Sequence, residues 1–248
     1  MKRRLLRLGT AAVMAVGVAL PATAQPAQAD VGTVIAVVKQ VYSLYQQFFK
    51  SSGLTLQQAV DQIKAAIQSA QTAIINQIDL VAVAQVRACA ESAVINFADI
   101  NAFTPDNLQV FALDATSCVT LAQSLIPAVT ATPAAVDQAG FAMNTVGPIA
   151  LMARAKAGLT TASLTSVLVS GENSLISSLV PPCVRDNLTG GEPGAGKIFA
   201  WDCTAYNGDE AEVIIRGDTN AAKAQSQDYA GRNTSRGVAQ AVLPLLTS

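Results

Sequence analysis

The chain reads as a mainly α protein: a multi-helix bundle with long N-terminal helices, followed by a small disulfide-stapled α+β unit containing a β-hairpin. Three observations predict this. Apolar residues recur at spacings of three and four through much of the stretch between Val34 and Leu179, the pattern of one helix face repeated. After Pro181-Pro182 the spacing changes to alternation on either side of Asn207-Gly208, the mark of a hairpin. The four cysteines fall two on each side of that proline pair.

The first residues are read separately. Lys2, Arg3, Arg4 and Arg7 form a basic start, and Leu8 to Leu20 is an uncharged apolar core. Ala27-Gln28-Ala29 is a small-x-small cleavage site, with Ala22-Thr23-Ala24 as a second candidate. Together these make a secretory signal peptide over residues 1–29 and a mature chain from Asp30. The apolar core is shorter than the about 20 residues of a membrane span. The Arg3-Arg4 pair also fits twin-arginine export but lacks the usual polar neighbour of that signal, so general secretion is preferred.

Three regions are expected: the signal peptide at 1–29, a helical bundle at 30–180, and a β-hairpin plus helix region at 181–248. Charge supports the last boundary. There are 15 charged residues from Asp30 to Val180 and 14 from Pro181 to Ser248, a stretch less than half as long. The proline pair marks the break, because proline lacks a donor and disfavours helix before it.

Within the bundle, Val34, Val38, Val41, Tyr45 and Phe48 line one face of a first helix, which Ser52-Gly53 ends. A second pattern runs through Leu56, Val60, Ile63, Ile67, Ala70, Ile74, Ile78 and Val81 toward Ile95. Unbroken, it is a helix of about 60 Å at 1.5 Å per residue; β-branched residues around Asp79–Val83 leave room for a bend. Thr104-Pro105-Asp106 combines a hydroxyl N-cap, a first-turn proline and an acid at the positive dipole end. Thr132-Pro133 repeats the device. Gly147-Pro148 is expected to kink or break the helix after it, and Gly171 to be a point of interruption in a last bundle helix from about Ala162 to Leu179. The count is about five or six helices.

Segments 115–136, 138–153 and 157–171 carry no charge. They read as the buried centre of the bundle. The rival reading is a membrane-inserting hairpin; Pro127, Pro133 and Pro148 interrupt these runs and weigh against it.

In the C-terminal region, a three-residue loop Tyr206-Asn207-Gly208 gives the better hairpin register. It pairs Cys203 with Ala211, Trp201 with Val213 and Phe199 with Ile215, so every inward pair above Asp209 is apolar, and Gly208 takes the left-handed position. Asp202, Glu212 and Arg216 then face outward, with Tyr206 at the turn. A covering helix capped by Asp218 and a last helix from Thr234 or Ser235, carrying Val238, Val242 and Leu245, complete the unit.

Composition removes much chemistry. The chain has no histidine, which excludes Ser-His-Asp and Cys-His nucleophiles and His-ligated metals. The formal net charge of −1 suggests neither nucleic acid nor an anionic membrane as partner. Apolar residues make up 51% and charged residues 13%, about half the usual charged share of about 25%. Such a weakly charged surface suits packing against a partner. In an exported chain the even cysteine count implies disulfides. Order along the chain favours Cys89–Cys118 and Cys183–Cys203; a four-thiolate metal site lacks any C-x-x-C pair.

Weaker motifs remain. Gly191 to Lys197 fits G-x-x-x-x-G-K, but Ile198 follows where Ser or Thr is required, and an alternating strand pattern follows in place of a helix; a flexible turn is the reading. Asn187-Leu-Thr and Asn233-Thr-Ser match the glycosylation sequon by chance. Asp202 and Glu212 form a carboxylate pair suited in principle to acid–base work on a glycoside. No catalytic, cofactor or metal site is assigned, and no cofactor is expected. The expected function is that of a secreted non-enzymatic protein acting by protein–protein or cell-surface interaction or self-association. The alternatives are a membrane-active helical protein resembling a pore former and a histidine-free, carboxylate-dependent hydrolase.

Overall fold

The computed structural model describes residues 31–50, 53–78, 81–188, 197–216 and 220–247. The signal-peptide segment, most of the Gly191–Lys197 loop and Asp218 lie outside the described residues. Eight α-helices and one three-stranded sheet are described: α1 (Val31–Lys50), α2 (Leu56–Asn76), α3 (Ala84–Phe97), α4 (Pro105–Ala128), α5 (Pro133–Lys156), α6 (Ala162–Ser178), β1 (Cys183–Asn187), β2 (Ile198–Thr204), β3 (Glu210–Arg216), α7 (Asn220–Ala230) and α8 (Ser235–Thr247). The fold is a helical bundle followed by a small disulfide-stapled α+β unit.

The long second helix does not run unbroken. α2 ends at Asn76, a 3₁₀ turn spans Val81–Val83, and α3 begins at Ala84. Packing explains the break. Ile78 and Val83 are both buried, yet five residues apart on a straight helix they would point about 140° away from each other. A turn between them brings both into the core.

Local capping follows the sequence at two helices. Thr55 and Gln58 form a capping box at α2. Thr104 Oγ1 accepts from the Asn107 amide at 3.3 Å, with Pro105 in the first turn of α4. Thr132 precedes α5 without a side-chain capping bond.

α5 is the axis of the bundle. It packs against α1, α2, α3, α4, α6 and α8, and from Ala139 to Ala153 every residue is buried. A helix enclosed on all sides explains two departures from expectation. The helix continues through Gly147-Pro148, because surrounding helices hold it where an exposed proline would end it. Gly147 is there for space: a methyl group would collide with the Tyr42 hydroxyl. Gly171 likewise leaves α6 uninterrupted and makes room for the Met143 sulfur.

Beyond the bundle, β1, β2 and β3 form an antiparallel sheet in chain order. The hairpin has the predicted register, with Phe199 opposite Ile215, Trp201 opposite Val213 and Cys203 opposite Ala211. Gly208 takes φ +87°, a conformation that costs glycine little, and its amide donates to the Ala205 carbonyl at 3.0 Å. β1 was not foreseen. It brings Cys183 directly opposite Cys203, with a Cα separation of 4.1 Å across the disulfide. Cys89–Cys118 ties α3 to α4 with a Cα separation of 5.6 Å. Both pairings are those the chain order favours.

α7 covers the inner sheet face. Its Ser226 hydroxyl lies 2.8 Å from the Trp201 carbonyl and 2.7 Å from that of Ala211. α8 returns to the bundle, where Val238, Ala239, Val242 and Leu246 join the apolar core made by α1 to α6. Leu246 takes the buried place, and Leu245 is half-buried.

Candidate functional site

The outward face of the hairpin carries Asp202, Glu212 and Arg216. Asp202 lies directly opposite Glu212, and Arg216 lies opposite Ile198 on the same face, two pleats along. Glu212 and Arg216 are exposed, and Asp202 is half-buried. Two acids opposite each other repel weakly at cross-strand distance; they gather no third ligand. Among the described residues, no group of three or more acidic, cysteine or histidine side chains is placed to hold a metal ion.

Tyr206 leaves this set. Its hydroxyl donates to Asp137 Oδ2 at 2.6 Å, 69 positions back in the chain. Asp137 is 1% exposed and also accepts from the Ser235 amide at 2.5 Å. That amide opens α8, so Asp137 caps α8 from α5, at the positive end of the helix dipole. Nearby, Asp209 in the hairpin turn accepts from Asn233 Nδ2 at 2.8 Å. The turn is thus latched to the bundle by polar contacts. Burial pushes the Asp137 carboxyl up to about 6, against the lowering pull of the Tyr206 and Ser235 hydrogen bonds. Burial also raises the Tyr206 phenol, and the neighbouring Asp137 charge adds to it.

A second acid lies deeper. Glu172 on α6 is wholly buried, with Oε2 accepting from Asn144 Nδ2 at 3.2 Å. Burial pushes its carboxyl up to about 8, with the Asn144 bond opposing. Asp137, Gly140, Asn144 and Gly147 follow each other at spacings of three, four and three, so they form one polar-and-small stripe on α5. Hydroxyls press onto both glycines: Ser235 Oγ at Gly140 and Tyr42 Oη at Gly147.

Neither acid was singled out in the sequence, although a signal was there. Asp137 is the lone charge between two uncharged runs, and Glu172 ends the third run. A single acid bounded by apolar helix is a candidate for burial.

The third feature is a surface. α4 buries Leu108, Phe111, Ala112, Ala115, Val119, Ala122 and Ile126, but leaves Val110, Leu113 and Leu121 exposed at 58%, 53% and 37%. Neighbouring α3 leaves Ile95 exposed at 48%. From Ala115 to its end α4 has no charge. Pro127 is its last residue but one, and the helix ends at Ala128. It is also the one helix among the described residues that is long and apolar enough to cross a membrane, with mean hydropathy 1.3 and 39% of that window buried.

No protein-family model, curated protein or solved structure matches this chain.

Proposed function

We propose that the chain is exported by its N-terminal signal and works outside the cell as a non-enzymatic protein that associates, through α4, with a protein or cell-surface partner or with itself. The uncovered apolar side of α4 carries this reading. Val110, Leu113 and Leu121 rise from a helix side whose charges are Asp106 and Asp114 alone, and exposed apolar patches mark sites of association. The two disulfides are consistent with an extracellular protein. The test is sedimentation of the mature protein beside a Leu113→Asp/Leu121→Asp variant, with both also assayed for binding to cell surfaces. Association or binding that the variant loses supports the reading. A strictly monomeric wild type that binds no cell surface sinks it.

Membrane activity is the second reading, favoured by the length and composition of α4. It requires α4 to leave the bundle, taking its buried face and the Cys89–Cys118 bond with it. Dye release from neutral and anionic vesicles over a range of pH tests it, and intact vesicles throughout would rule it out.

A further inference from the structure

Glu172 is built into the bundle as an acid without a cation. None of its surface is exposed. Among the described residues, Asn144 Nδ2 supplies its one hydrogen bond, and the same amide group also donates to the Gly140 carbonyl at 3.0 Å. Both amide protons are thus committed. Glu172 Oε1, Asn144 Oδ1 and the Tyr42 hydroxyl find no partner among the described residues.

The groups on every packed element confirm the lack of positive charge. α1 contributes Tyr42, whose buried phenol is raised by burial and by Glu172 itself; Tyr45 turns to Thr161 and Thr165. α5 contributes Asn144, and Met143 at Gly171; α4 contributes Gln123, beside Gly171. α8 contributes Arg236, whose two Nη atoms are committed to the Ile176 carbonyl and to Asp228 and whose Nε finds no partner among the described residues.

The two protonation states fit this environment differently. As an anion, Glu172 sets one shared amide donor against full desolvation, a poor exchange. As an acid, it gains an O–H donor, and Oδ1 of its partner Asn144 is an acceptor that lacks a bond. Asp137 is the contrast, since it has both a phenol donor and a helix N-terminal amide.

We propose that Glu172 is an internal proton switch: with its proton it clamps α6 against α5, and on losing the proton it releases α6 from the bundle. Its one polar partner, Asn144, sits across the α5–α6 contact, and the Met143–Gly171 contact lies beside it. An anion formed there reaches water by outward movement of α6. The sign follows from linkage. Glu172 is raised from 4.5 to about 8, so its contribution to stability is complete below the unfolded value and is lost as pH rises through the folded one.

The test compares wild type with Glu172→Gln, which keeps the shape and hydrogen-bonding capacity. Between about pH 6.5 and pH 9, above the range in which Asp137 titrates, the wild-type Tm falls and that of the variant stays nearly level, ending about 5–10 °C higher. Hydrogen exchange, corrected for intrinsic rates, locates the loss: α6 amides lose protection in the wild type before those of α2. Parallel Tm profiles for the two proteins would overturn the proposal, and so would protection lost evenly over all helices. If the variant fails to fold, infrared titration of the wild type decides. The C=O band of a buried protonated carboxyl persists at neutral pH and disappears in alkali. A wild type without that band at neutral pH overturns the switch.

Discussion

The bundle and the sheet unit are held together by different means. The bundle has an extended apolar core drawn from α1 to α6 and α8, made of Val, Ile, Leu and Ala with few aromatics. The sheet unit has a core of Cys203, Ala205 and Ala230, with Cys183 and Ala211 packed beside them. Phe199, Ala200 and Ala222 are its other buried apolar residues among those described, so the disulfide is a sizeable share of a small core. Three strands and one helix that bury so little apolar surface need a covalent staple. Further attachment comes from polar contacts, among them Tyr206 to Asp137, Asn233 to Asp209, and Gln227 to the Pro181 carbonyl. One region excludes water to stay folded; the other is tied down.

The strongest way to break this contrast is to cut each staple in turn. Cys183→Ser/Cys203→Ser removes a cross-link worth about 3 kcal/mol in the chain-entropy model. Hydrogen exchange should show β1, β2 and β3 opening while the bundle helices stay protected. Cys89→Ser/Cys118→Ser has a similar cost, but it should appear as a lower Tm of the whole bundle with native far-ultraviolet circular dichroism. Equal behaviour of the two variants would show that the regions do not differ.

A smaller effect sharpens the boundary. Tyr206→Phe deletes the donor to buried Asp137 and is expected to cost about 1–2 kcal/mol. With one lowering contact gone, the Asp137 carboxyl titrates above its present value of about 6. Because folding raises this acid, its contribution is complete below its ordinary value of 3.8 and is lost as pH rises through the folded value. Tyr206→Phe should therefore extend the pH range over which stability declines. A denaturant midpoint measured against pH checks both parts, and Asp137→Asn should remove the added slope.

The smallest effect is expected on the outward sheet face. Glu212→Ala should change stability by less than about 0.5 kcal/mol, as exposed surface substitutions do, and Asp202→Ala, at a half-buried position, by less than about 1 kcal/mol. The same variants test the hydrolase alternative: if a hydrolytic activity is found and either substitution abolishes it, the face is a catalytic one.

The hairpin was legible down to its register because alternation, a left-handed glycine and the cysteine position all demand one pairing. Both disulfides and the start of α4 were legible for similar reasons: each rests on a local rule with few rival solutions. β1 was not, because Cys183–Asn187 is largely polar and lacks alternation; its partner strand and the disulfide define it. Gly147, Pro148 and Gly171 do not break their helices, because propensity describes a helix in water: α5 is enclosed along its centre, and Gly171 lies on the buried side of α6 against Met143. Tyr206 was placed at its turn, but not against Asp137, 69 positions away. Polar pairs so distant leave no mark in local spacing.

The position of α8 carries a consequence for how the molecule is made. Val238 and Val242 complete a core begun by Val34 and Val38, and Gln46 on α1 donates to the Leu245 carbonyl. Between α6 and α8 the whole sheet unit must be threaded through first. A chain synthesised from its N-terminus therefore carries its first six helices with a slot still open, and cannot shut it while residues 235–247 remain unmade. The core is complete only with those late residues, and a chain stopped before residue 235 leaves bare the sides of α1, α5 and α6 that α8 covers.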